Sequence, residues 1–413
     1  MEFKHFMGCV LAIGTLFLLS SCSATPAECP VVDLDNPSGF VDIRISDMLD
    51  NITLVPLETS DDMLLSTNGM IYTVTNNYII VRTNEKLLQL DRQGKYLRTL
   101  AYRGNGPNEF NMIVGTYIDE KRELLYYRDS RSAESYPCIN LKTGAFVEFS
   151  KPEVSPFNLT LMDTEGNMYG FLGRNTLRMM DNEEPKASDT LLFRYNPVEK
   201  RIDFFTGHHR FVHNNSSRII TMQGGEIFFL CTPYSDTLFK IDGTKIIPRF
   251  VFKLKDQVTD IQQGGMLTSI PFSCTLGMVV RNSRSNLTVS QSGGTINSIT
   301  VANQSQTYLL LNRKGALQTI RSITVDPIAV TIDVDEYLKL SNEQRREKFK
   351  IGFLPTVSGV WGHYAVEAID MVDMIEQALK GDQITPVQRK ALEEVAKKID
   401  YDSNPVLMIG KIK

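Results

Sequence analysis

A single tryptophan, Trp361, stands among 413 residues, with only five histidines and six cysteines. Chemistry built on repeated tryptophan motifs loses support at once. Two cysteines, Cys9 and Cys22, lie near the N-terminus. The other four, Cys29, Cys138, Cys231 and Cys274, are scattered, and no close pair has metal-ligand spacing. The last three sit in apolar, strand-like runs, so buried free thiols are expected rather than disulfide staples. Positive charge is not in excess either. Against 48 Asp and Glu stand 44 Lys and Arg, a net −4, which removes the basic stripe that nucleic-acid binding needs. No nucleic-acid partner, cofactor or metal is expected.

What is present begins with an address. Lys4 and His5 precede an apolar run from Val10 to Leu19, too short to span a bilayer but suited to a signal-peptide core. Behind it comes Leu19-Ser20-Ser21-Cys22: one aliphatic residue, two small ones, then cysteine. This resembles the bacterial lipoprotein lipobox. The resemblance implies a signal peptide over 1–21, cleavage before Cys22, and acylation of the Cys22 thiol and of the new amine. Several acyl chains would anchor stably, since each buried CH₂ contributes about 0.8 kcal/mol and one chain is marginal. Residues 22–40, with Pro26, Pro30 and Pro37, read as an extended tether. Ser23 and Ala24 supply no inner-membrane retention Asp, and no acidic run follows. The expected location is the cell envelope, lipid-anchored, on the periplasmic side of the outer membrane.

The remainder, 41–413, is organised around one stretch. Ile71–Val74, Tyr78–Val81, Lys86–Leu90 and Tyr96–Leu100 are β-branched or aromatic runs closed by Asn76-Asn77, Asn84-Glu85 and Asp91 to Gly94. That is the signature of successive hairpins, one antiparallel sheet in about 30 residues. A mark recurs: a strand ending in Asp or Asn, then a turn. It falls at Asp91, Asn140, Asn196, Asp242 and Asn312. Self-similarity near 40–50 residues predicts an all-β, six-bladed β-propeller. Later blades are expected over 115–149, 159–205, 219–252 and 275–323. A sixth would take Ile328–Ile332, Phe353–Ile369 and the terminal strand Asn404–Ile412. Ring closure requires the early strand Ile52–Leu57 to lie in or beside the blade of that last strand. Small helical insertions are expected near the C-terminus. Thr385-Pro386-Val387-Gln388 reads as a cap, with Val387, Ala391, Leu392, Val395 and Ile399 on one face. Further helices are expected over Asp370–Lys380 and Asn342–Lys350.

Several segments together resemble the six-bladed β-propeller lipoproteins common in Bacteroidetes. They are the lipobox, Arg103-Gly104-Asn105-Gly106-Pro107-Asn108-Glu109-Phe110, Ser235 to Ile241, Tyr364 to Ile369, and Asn404-Pro405-Val406-Leu407. The Gly-x-Gly-Pro-x-Glu-aromatic run is the most specific. The resemblance implies fold and location and transfers no catalytic residues.

Candidate chemistry is sparse. Gly104-Asn105-Gly106 lacks the Gly-Lys-Ser/Thr of a phosphate loop. Arg103, Asn108 and Glu109 are candidates to line a channel mouth, although structural bracing of the loop, such as a local ion pair, is the leading expectation. His208, His209 and His213 lie in a polar stretch and read as a surface loop rather than a zinc site. Trp361, His363 and Tyr364 put three rings in four residues, a platform for sugar or peptide or else a buried anchor. With Arg174 these complete the candidate ligand-binding residues. The leading expectation is a non-enzymatic binding or scaffold module for a peptide, glycan or envelope protein. The alternative is a hydrolase or lyase acting from the same mouth.

Overall fold

The computed structural model describes residues 29–65, 70–131, 136–148, 158–163, 165–171, 192–205, 218–223, 226–231, 237–253, 265–292, 295–341, 344, 348, 360–361, 364–369, 372–381, 384–400 and 402–413. Three strands come first: β1 (Val31–Asp33), β2 (Phe40–Arg44) and β3 (Leu49–Pro56). The short helix α1 (Ile45–Met48) separates the last two. Four sheets of hairpin-linked strands follow. The first is β4 (Ile71–Val74), β5 (Tyr78–Arg82), β6 (Lys86–Asp91) and β7 (Tyr96–Tyr102). The second is β8 (Ile113–Asp119), β9 (Leu124–Asp129), β10 (Cys138–Asn140) and β11 (Phe146–Val147). The third is β12 (Asn158–Met162), β13 (Met168–Phe171), β14 (Leu192–Asn196) and β15 (Arg201–Phe204). The fourth is β16 (Arg218–Gln223), β17 (Glu226–Cys231), β18 (Thr237–Asp242) and β19 (Lys245–Lys253).

The fifth sheet contains β20 (Gly265–Ser273), β21 (Gly277–Ser292), β22 (Thr295–Asn312) and β23 (Leu317–Val325), with β24 (Val330–Asp333) paired onto β23. Helices α2 (Val334–Lys339), α3 (Val372–Lys380) and α4 (Pro386–Ala396) lie later in the chain. The sixth sheet has the order β25 (Val360–Trp361), β26 (Tyr364–Ile369), β27 (Val406–Ile412), then β3. Its register, Val406 opposite Pro56 through Ile412 opposite Leu49, joins early and late parts of the chain in one sheet, as ring closure demands.

The sheets stack face to face in a β-propeller arrangement, and hydrophobic clusters sit between consecutive ones. Ile80 and Leu87 meet Ile118 and Leu125. Tyr126 and Cys138 meet Met162 and Phe193. Leu192 and Phe205 meet Ile227 and Phe239. Phe228 and Leu238 meet Val280 and Leu309. Ile320 and Ile323 meet Val406 and Met408. Leu407 and Ile409 then meet Val74 and Ile79 of the first sheet. Each sheet is covered on both faces, which explains why its middle strands read as unbroken apolar runs. In β5, Ile79 and Val81 point to one interface and Ile80 to the other, the period-2 alternation of a strand.

The recurring Asp/Asn mark now has a cause. At the end of the third strand of its sheet, a side-chain oxygen accepts two backbone N–H groups of the turn. Asp91 accepts from Gln93 and Lys95, Asn140 from Lys142 and Thr143, Asn196 from Val198 and Glu199, and Asn312 from Lys314 and Ala316. These are Asx turns, which Asp and Asn form and longer side chains do not. Asp242 stands at the same place in the fourth sheet.

Three sequence expectations need correction. Residues 31–40 are not all tether. Val31–Asp33 pairs parallel with Val251–Lys253, and Phe40–Arg44 pairs parallel with Thr319–Thr324. The N-terminal segment thus runs along the outer edges of the fourth and fifth sheets before completing the sixth. Second, Ile332 belongs to the fifth sheet through its pairing with Ile323, not to the sixth. Third, the buried stripe of α4 is narrower than its sequence suggests. Leu392 and Val395 are buried and Ile399 packs beside them, while Ala391 is exposed and Val387 is 80% exposed. The fifth sheet also begins earlier than expected, at Gly265, and its β21–β22 hairpin extends well past the partner strands, which explains the longest spacing in the repeat. The helix expected over 342–350 falls largely outside the described residues.

Candidate functional site

The segment with the most specific sequence, 103–110, links β7 to β8. Its closure is local and complete. Gly104 N–H donates to Phe110 O at 2.8 Å, and Phe110 N–H to Tyr102 O at 3.0 Å. Glu109 folds back over the loop, and its Oε2 accepts the Gly106 N–H at 2.6 Å. The glycine at 104 follows from that fold: a Cβ there would stand 2.0 Å from Glu109 Oε2. Asn108 adopts φ of 65°, a left-handed conformation that Asn tolerates better than most residues. Phe110 is buried and meets the Tyr127 ring edge-on at 6.3 Å between centroids.

From below, β9 supplies the floor. Alternation places Tyr127 and Asp129 on one face of the strand. Asp129 accepts the N–H groups of Asn111 and Arg131 and the Arg131 Nε at 2.7 Å. Burial acts to raise its pKa, but the bonds from the Arg131 side chain and from the Arg131, Asn111 and Met112 N–H groups outweigh it and hold the carboxyl below the ordinary range. Arg131 also donates to the Gly104 carbonyl at 3.2 Å and to the Glu109 carbonyl. One guanidinium therefore ties the loop to β9.

Between loop and strand lies a cavity of about 240 Å³ lined by Gly106, Asn108, Glu109, Tyr127, Asp129, Arg131, Pro137 and Phe146. Tyr127 is 0% exposed, and its hydroxyl has no hydrogen-bond partner among the described residues. Burial pushes that phenol up to about 12, Asp129 adds to the rise, and Arg131 opposes it.

The candidates from sequence divide accordingly. Asn108 and Glu109 line the cavity. Arg103 does not; it is exposed and pairs with Glu85 at 3.1 Å. Trp361 and Tyr364 are opposite each other in the β25–β26 pair. Cys22, Arg174, His208, His209, His213 and His363 lie outside the described residues. Sequence reasoning missed Tyr127, Asp129 and Arg131. The available signal was the i, i+2 spacing of Tyr127 and Asp129 on one strand face, with the loop's arginine partner two residues further on. Cys138 and Cys274 are buried free thiols, and burial raises both pKa values. Among the described residues, no group of three His, Cys, Asp or Glu is placed to hold a metal ion, and no helix is long and apolar enough to cross a membrane.

Comparison with known proteins places this architecture. No curated protein matches. Among solved structures, a Bacteroides fragilis protein described as exported is 14% identical, with a TM-score of 0.53, covering 91% of this chain and all of its own. A Bacteroides vulgatus protein of the DUF4221 family is 8% identical, with a TM-score of 0.41, covering 88% of this chain and 96% of its own. The first likeness shows the fold. The family model described as "Domain of unknown function (DUF4934)" matches residues 29–411, nearly the whole described chain, and the protein belongs to that family.

Proposed function

We propose that this protein is a lipid-anchored propeller of the bacterial cell envelope that acts as a binding module, with its ligand site at the 103–110 loop. The lipobox at Leu19–Cys22 supports the anchor, and the similar B. fragilis protein is described as exported. A ring of six blades is supported by the six sheets and by the six clusters that link them in a cycle. The anchor sets the disc on the outer membrane, facing the periplasm.

One observation favours binding: a preformed cavity lined by a buried tyrosine whose hydroxyl has no partner among the described residues. Two of the charged groups around it are already committed to structural bonds. Asp129 is engaged by backbone N–H groups and by Arg131, and Arg131 by Asp129 and two carbonyls, so neither is poised to move a proton. The experiment is capture from envelope extract with the unlipidated mature chain, comparing wild type with Gly104→Ala. The substitution forces Glu109 off the loop, so a bound species should be lost from the variant. Equal capture by both proteins overturns the site. Membrane release of a Cys22→Ala protein tests the anchor independently.

A further inference from the structure

We infer that the cavity under the 103–110 loop takes a neutral, hydroxyl-rich ring, a single saccharide unit presented by a larger ligand. This rests on the binding-module reading and specifies its ligand.

The first reason is the floor. A hydroxyl buried among apolar neighbours and left unpaired is costly, and native proteins rarely leave one without a use. The Tyr127 hydroxyl can both donate and accept. A partner that does the same, such as a sugar hydroxyl, fits it in either sense.

The second reason is charge. The Asp129 carboxylate is occupied by Arg131 and by backbone N–H groups. Glu109 keeps one oxygen on the Gly106 N–H, and its Oε1 accepts no hydrogen bond among the described residues. The site therefore offers a free carboxylate oxygen beside a neutralised Asp–Arg pair. A phosphate, a sulfate or a peptide carboxylate would meet repulsion from Glu109. A donor hydroxyl would not, and a carboxylate binds sugar hydroxyls with a charge-assisted hydrogen bond.

The third reason is shape. Pro137, Phe146 and the Tyr127 ring line the same space as these polar groups. A pyranose has both faces required: a rim of hydroxyls and a flat C–H surface. At roughly 30 Å³ per water, the cavity holds about eight waters' worth of space, enough for one ring and its substituents.

The test is titration calorimetry with saturation-transfer NMR on the mature chain bearing Cys22→Ala. The probes are the methyl pyranosides of glucose, galactose, mannose and N-acetylglucosamine, with inorganic phosphate and n-butylamine as charged controls. At least one pyranoside should bind saturably, neither control should compete, and Tyr127→Phe should weaken binding about tenfold or more. Melting of Tyr127→Phe should not fall below wild type, because the lost hydroxyl had no protein partner. A lowered melting temperature, unchanged pyranoside affinity in the variant, no pyranoside binding, or binding of phosphate or butylamine would each overturn the assignment. If pyranosides fail while Gly104-dependent capture from envelope extract persists, the saccharide assignment falls and the binding module stands. If both fail, both fall.

Discussion

Asn404 shows how much one side chain can hold. It is 4% exposed, and its amide bonds three backbone groups of the segment after β3. Oδ1 accepts from Leu65 N–H at 2.9 Å, while Nδ2 donates to the carbonyls of Glu58 and Met63. Asn404→Ala would leave these groups unpaired, at about 1–3 kcal/mol each before any relief by water. We expect a loss of about 3 kcal/mol or more, measured as a lower midpoint in urea. Asp42 makes a second residue-scale prediction. Hydrogen bonds from Arg321 and Ser322 lower its pKa to about 2. A carboxyl depressed on folding contributes stability above its unfolded value, about 3.9, and loses it as pH falls through the folded value. Between pH 4 and pH 2, β2 should therefore loosen from β23, read as faster proteolysis at Phe40–Arg44 by an acid-active protease. Asp42→Asn should be loose throughout and lack this pH dependence. The cavity residues belong to this scale too. Asn108 and Glu109 were visible because their loop is unusual in composition. Tyr127 and Asp129 looked like any strand residues until the loop was seen to close over them.

Among the elements, α4 was the most legible. The sequence Thr385-Pro386-Val387-Gln388 gives both halves of a capping box: Gln388 N–H donates to Thr385 Oγ1 at 3.3 Å, and Thr385 N–H to Gln388 Oε1 at 2.7 Å. Thr385→Ala should cost about 1 kcal/mol, seen as a small shift in thermal melting. The buried face of the helix was less legible, because which turns meet the core depends on where the helix lies against β3 and α3. The Asx mark identified five third-to-fourth-strand turns. It could not mark the sixth sheet, whose fourth strand, β3, comes from the other end of the chain. Asp42–Ile45 read as a short strand, but the parallel pairing of β1 and β2 was illegible for a related reason: short apolar runs do not announce a partner more than 200 residues away. The β21–β22 hairpin predicts tolerance. Among the described residues, its strands over Asn286–Ser292 and Thr295–Ala302 pair only with each other. Replacing that tip with a two-residue turn should leave the melting temperature within a few degrees of wild type.

For the whole molecule, closure rests on one antiparallel pairing between β3 and β27. Leu407 and Ile409 also fill the core against the first sheet. Deleting residues 406–413 removes both the pairing and that packing. The truncated protein should lose its cooperative transition in urea and expose apolar surface to a dye such as ANS.

The pairing of Thr53 with Ile409 spans 356 residues. During synthesis β3 therefore leaves the ribosome long before its partner exists, and it waits with its hydrogen-bonding edge bare. Such a chain matures slowly, with clasping of the two segments among its last events, and it will depend on an escort that shields the waiting strand until the disc can lock.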